Sequence, residues 1–175
     1  MPPKTRFQRS DIVEAAFAIA RDEGLEALKA RRVADELGSS VAPIYDNFAT
    51  IDELVRAVVE HALAISRSLL AEQQGESVFE NIGRASLAFA RRYPMLVRDL
   101  VLKPNPWISD SEQQDHRLVE MMAEDPDLTG WSRDERRRLL LQMRAFQLGL
   151  MLMTANKQIP SWAEDIDLEQ LLIQT

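Results

Sequence analysis

Between Lys29 and Asn47 two short helical segments stand so close together that only a sharp turn fits between them. Val33, Ala34 and Leu37 recur at helical spacing from about Lys29, and Gly38 closes that helix. Ser40 reads as the cap of the next one, from Val41 to Asn47, because this register puts Pro43 in the first turn, where its missing N–H costs no intrahelical bond. Ala34, Gly38 and Ile44 then lie four and six residues apart. That is the pattern a helix-turn-helix needs: a small residue at the crossing, glycine at the turn, and a branched apolar residue tucking the second helix against the first. An ordinary helical hairpin fits the same spacing, so the surrounding residues must choose between them.

The rest of the chain is also helical. Ile12, Ala15, Ala16, Ile19 and Ala20 make a helix from Asp11 to Glu23, capped by Ser10 or Asp11 and stopped at Gly24. Thr50-Ile-Asp-Glu53 is a capping box, opening a long helix that carries an apolar stripe to about Glu72. The same pattern recurs at Ser77–Glu80 and Ser132–Glu135, opening helices to roughly Tyr93 and Asn156. Asp165 to Gln174 reads as a last amphipathic helix, and no stretch alternates with period two. The expected architecture is all-α: residues 1–50 as a three-helix helix-turn-helix domain and 51–175 as a helical regulatory and dimerisation bundle.

Charge bears on the choice locally. The chain of 175 residues has 21 Lys plus Arg against 28 Asp plus Glu, a net of −7, and even residues 1–60 carry eight cations against eleven carboxylates. Yet Lys4, Arg6 and Arg9 lie on the N-terminal arm and Lys29, Arg31 and Arg32 at the start of the second helix, so these six cations could line one face toward phosphate. The absence of cysteine excludes disulfides and thiolate chemistry. The basic start leads into no apolar run and no apolar stretch has the length of a membrane span, so a cytoplasmic chain without membrane contact is expected.

The residues Ile12 with Ala15-Ala16, Gly24, Val33-Ala34-Asp-Glu-Leu-Gly38, Ile44-Tyr45-Asp-Asn-Phe48 and Thr50-Ile-Asp-Glu-Leu54 resemble the N-terminal domain of TetR-family transcriptional repressors over roughly residues 8 to 60. The resemblance implies a homodimeric, ligand-responsive regulator whose third helices enter the major grooves of a palindromic double-stranded operator. Lys29, Arg31, Ser40, Val41, Ala42, Pro43, Tyr45, Asn47 and Thr50 are then the candidate DNA-contacting residues. Lys29 stands where the family has a capping threonine, and Ile51 where it has a lysine, which removes one phosphate contact. Tyr45 maps to the tyrosine whose hydroxyl bonds phosphate; a half-buried aromatic with its hydroxyl in water is the plainer reading. The base-reading surface carries no Arg or Lys: Asn47 suits adenine, the small apolar residues suit thymine methyl groups, and Asp46 suits cytosine or plain solvent.

Specific signals thin out beyond. Trp107, Met121, Met143, Phe146, Gln147 and Met151 are candidates for a hydrophobic effector pocket, against the alternative of ordinary core. Arg144 and Gln147, set among apolar neighbours, need partners, from a ligand or at a dimer seam. Gly149 costs about 1 kcal/mol in a helix interior and calls for the close approach of another helix, from a second subunit or within this one. Arg136-Arg137-Arg138 reads as a solvated face with local ion pairs. His61 and His116 stand alone, the six glycines form no phosphate loop, and no nucleophile–base set is recognisable, so neither enzyme nor cofactor is expected. A helical protein-interaction adaptor is the alternative function.

Overall fold

The computed structural model describes residues 7–75, 77–103 and 111–173, apart from the side chains of 111–114 and 173; Lys4, Arg6 and Trp107 lie outside them. Among the described residues nine α-helices follow one another: α1 Arg9–Glu23, α2 Ala30–Glu36, α3 Ala42–Asn47, α4 Ile51–Ala71, α5 Val78–Arg92, α6 Pro94–Val101, α7 Ser111–Met121, α8 Arg133–Ala155 and α9 Leu168–Ile173. No strand occurs among the described residues, and no helix among them is long and apolar enough to cross a membrane.

The helix ends follow local chemistry, with some shifts from the sequence expectation. Helix α1 starts at Arg9, ahead of both expected caps: Gln8 is the N-cap, and Asp11 accepts the Gln8 N–H at 2.8 Å. Gly24, at φ 92°, stops it. Gly38, at φ 62°, ends α2, with Ser39 N–H donating to Ala34 O at 2.9 Å and Gly38 N–H to Asp35 O at 3.1 Å. Only glycine adopts that left-handed conformation without strain, which is why the turn can be so sharp. Ser40 does not cap α3; Val41 occupies the N-cap, no side chain there bonds the helix, and Pro43 still sits in the first turn. At α4 the Thr50 hydroxyl accepts from Glu53 N–H at 3.2 Å, while the Glu53 carboxylate takes the Ala49 N–H at 2.9 Å, one residue before the donor a strict box would use. Helix α9 starts later than expected, at Leu168, because Asp167 caps it, accepting from Glu169 N–H at 2.9 Å; Gln174 lies outside the described residues.

One apolar core joins α1 through α6. Ile12, Ala16, Val33, Ala34, Ile44 and Phe48 from the first three helices meet Leu54, Val58 and Ala62 of α4, with Phe89 and Leu96 beyond them. Burial therefore continues across residue 50, and α4 serves both the helix-turn-helix and the bundle. A smaller cluster of Val119, Met122 and Leu140 holds α7 to α8.

Candidate nucleic-acid interface

Helix α3 is six residues long, too short to be stable alone, so its position depends on what it packs against. Ile44 is completely buried and Phe48 nearly so, which turns the opposite side outward. There Val41, Ala42, Tyr45 and Asp46 are exposed and Pro43 and Asn47 half-buried. Tyr45 exposes 52% of its surface, so its hydroxyl is presented to the outside. Thr50 is exposed beside it in sequence; its hydroxyl accepts from Glu53 N–H and keeps its own hydrogen for another acceptor. Ser40 is exposed, its carbonyl accepting from the Ser39 hydroxyl at 3.0 Å. Asn47 is less free than its sequence position implies, because its amide donates to Pro43 O at 2.8 Å.

Of the six cations expected to line one face, Lys4 and Arg6 lie outside the described residues, and two of the other four are held by partners within the protein. Lys29 and Arg31 are exposed. Arg32 instead bridges Glu23 at 2.7 Å and Glu36 at 2.8 Å, and those hydrogen bonds raise its pKa further above the usual guanidinium range. Arg9 donates to Asn47 O at 2.9 Å and lies over the Phe48 ring, 4.0 Å from its centroid. Ile51, in place of a cation, packs against the main core. The Arg32–Glu36 pair lies at a local i,i+4 spacing, whereas no local pattern announces the Arg32–Glu23 and Arg9–Asn47 contacts.

Helix α6 ties this region to the bundle. Asp99, with its side chain 9% exposed, accepts the Leu25 N–H at 2.6 Å, at the turn leading into α2, and pairs with Lys103 at 2.8 Å; Lys103 also reaches Glu26 at 2.8 Å. These carboxylates raise the Lys103 pKa well above its ordinary value. The neighbouring Arg98 donates to Asn156 Oδ1 at 2.6 Å and to Ala155 O at 3.3 Å, capping the end of α8. Sequence reasoning missed this pair, whose partners are 57 to 74 residues away.

In the bundle, both buried-polar questions have intrachain answers: Arg144 pairs with Asp115 and Gln147 bonds Ser86. Arg136 is no plain solvated residue, since it donates to Trp131 O at 2.7 Å and Val119 O at 3.3 Å, whereas Arg137 pairs locally with Asp134. Met121 is exposed, Met143 and Phe146 are half-buried, and Met151 packs against the main core. An open groove of about 290 Å³ lies elsewhere, between Asp115, His116 and Val119 of α7 and Arg137, Leu140, Leu141 and Arg144 of α8. Among the described residues, none of the expected effector residues lines it. A Cβ built on Gly149 would meet nothing within 4 Å, which removes a close internal crossing as the reason for glycine there. No cluster of three potential metal ligands occurs among the described residues.

A short helix held by Ile44 and Phe48 behind a glycine turn, with its other face open, defines a helix-turn-helix protein. Residues 12–58 match the profile of the bacterial regulatory proteins, tetR family, and through this segment the chain belongs to the TetR family. It is also 31% identical over 131 residues to the HTH-type transcriptional repressor DrrR1 of Streptomyces coeruleorubidus, an alignment covering 72% of this chain and 48% of that protein. The chain thus spans about half the length of the curated relative it matches.

Proposed function

We propose that the protein is a DNA-binding transcriptional repressor, acting as a homodimer that sets α3 of each subunit into successive major grooves of a palindromic operator. The observation that carries this reading is the outward face of α3 and its N-cap: Val41, Ala42 and Tyr45 stay exposed in a chain that buries Ile44 of the same helix and Phe48 just after it. Tyr45, Thr50 and Ser40 would donate hydroxyls to phosphate, Lys29 and Arg31 would supply charge, and Val41, Ala42 and Pro43 would lie against thymine methyl groups. Asn47 would reach a base edge only by exchanging its bond to Pro43. Residues 1–50 would act as the reading head and 51–175 as the regulatory part, although their cores merge. Such a protein works in the cytoplasm with the chromosome and needs no catalytic centre.

The second subunit would pack against α8, where Leu141 and Leu148 are exposed and Gly149 leaves open space. A small, apolar effector would bind within residues 51–175; Trp107, Met121, Met143, Phe146, Gln147 and Met151 remain its candidates, apart from the α7–α8 groove, which other residues line. Arg98 and Asp99, adjacent on α6, would pass a shift of α8 to the turn before α2. Release requires that the effector bind the two arrangements with different affinity.

Salt titration of duplex binding tests the proposal. Affinity should fall steeply with salt, and Lys29→Ala or Arg31→Ala should each lower the slope by about one. Slopes unchanged in both variants would contradict the phosphate assignment, and equal affinity for operator fragments and random duplex would favour the adaptor.

A further inference from the structure

We infer that Arg9 is a positioning residue for α3 rather than a phosphate contact, an inference that rests on the DNA-reading role proposed for α3. Arg9 opens α1 and Asn47 closes α3, 38 residues later, yet the guanidinium joins them twice. One Nη donates to the Asn47 carbonyl at 2.9 Å, and the guanidinium plane covers the Phe48 ring at 4.0 Å. Carbonyls of a last helical turn lack an intrahelical donor, and the partial negative charge there favours a cation. In a helix of six residues this one external donor acts on a large share of the backbone. Asn47 in turn donates its amide to Pro43 O at 2.8 Å, so Arg9, Asn47 and Pro43 form a chain of bonds running back along α3 to its reading face. Turning Arg9 outward to a phosphate would break the bond to Asn47 and uncover Phe48, which is 1% exposed as it stands. Lysine cannot replace arginine here, because a single ammonium cannot both lie flat on the ring and reach the carbonyl as the planar, forked group does.

The test compares the full-length protein with Arg9→Ala and Arg9→Lys in two measurements. The first is amide hydrogen exchange without DNA: both variants should exchange faster at Ile44, Tyr45 and Phe48, with α4 and α5 unchanged. Unaltered exchange at those amides would overturn the inference, whatever DNA binding shows. The second is affinity for a duplex selected from a random pool and for random duplex, across a salt series. Both variants should bind the selected duplex roughly tenfold more weakly and random duplex within about twofold of the parent, with the salt slope unchanged. A slope reduced by about one in Arg9→Ala, with restoration by Arg9→Lys, would overturn the inference in favour of a phosphate contact. If the parent itself failed to prefer the selected duplex, the DNA reading would fall while the exchange result still judged the clamp.

Discussion

Around α3 the large apolar side chains are buried almost completely, with Ile12, Val33, Ile44, Phe48 and Leu54 at 1% exposure or less; along α8 and the segment after it, Leu141 exposes 69% and Trp162 79%. The first region fills its core from α1 to α6 with the C-terminal end of α8 at Ala155, so the outward face of α3 is left over for recognition without any cost to packing. The second keeps only Val119, Met122 and Leu140 in its own small cluster and leaves apolar surface open. Burying such surface against another molecule is favourable in proportion to its area, so the exposed apolar residues of α8 would gain from a partner.

Matched truncations at the two ends should differ most. Phe48→Ala should lose about 3–5 kcal/mol of unfolding free energy, and Leu141→Ala less than about 0.5 kcal/mol, in urea denaturation at a concentration where the chain is monomeric. Similar losses would mean that the ends are packed alike.

Glycine substitutions sharpen the contrast through their sign. At Gly24 the backbone is left-handed and a Cβ would lie 2.8 Å from the nearly buried Asp99 carboxylate, so Gly24→Ala should destabilise by about 1–3 kcal/mol. Gly149→Ala meets open space in a helix interior and should stabilise the monomer by about 1 kcal/mol, while weakening self-association if a second copy approaches there. Thermal melts and sedimentation at several concentrations separate the two effects.

Tyr45→Phe removes one exposed hydroxyl and should weaken operator binding about three- to tenfold, leaving melting and self-association as they were. Binding titrations of variant and parent on one duplex check it. The smallest effect concerns the N-terminus of α8. The Ser132 hydroxyl and N–H, bonded to Glu135, hold that carboxyl below its ordinary value of 4.5. A pKa lowered by folding stabilises the folded form above the ordinary range, and this stabilisation is lost as pH falls through the lowered value. Protection of the Arg133–Arg136 amides, corrected for the intrinsic exchange rate at each pH, should therefore fall on acidification below about pH 4.5, with the buried amides of α1 as the reference.

Legibility from sequence followed the same division. Gly24, Gly38, the Thr50 and Ser132 caps and the Ile44–Phe48 pair were readable, because turns, caps and helical spacing are local and each leaves a residue-level mark. The pairing of Arg32 with Glu23, the Arg9 bond to Asn47 and the Asp99 link to Leu25 could not be read, since each depends on where a side chain points after helices pack, whereas Arg32–Glu36 and Asn47–Pro43 lie at a local four-residue helical spacing. Counting cations along the chain did not show that Arg9 and Arg32 are held by partners within the protein, for the same reason. The α7–α8 groove fell beyond reach because opposing helices make it jointly.

Selection of bound duplexes from a random pool by the full-length protein tests the central claim most directly. The account predicts enrichment of an inverted repeat whose half-sites lie about one helical turn, or a multiple of it, apart, with thymine-bearing positions where Val41, Ala42 and Pro43 lie and with the preference changed by substitutions at those residues. A pool that stays random, or a preference indifferent to α3, would contradict it.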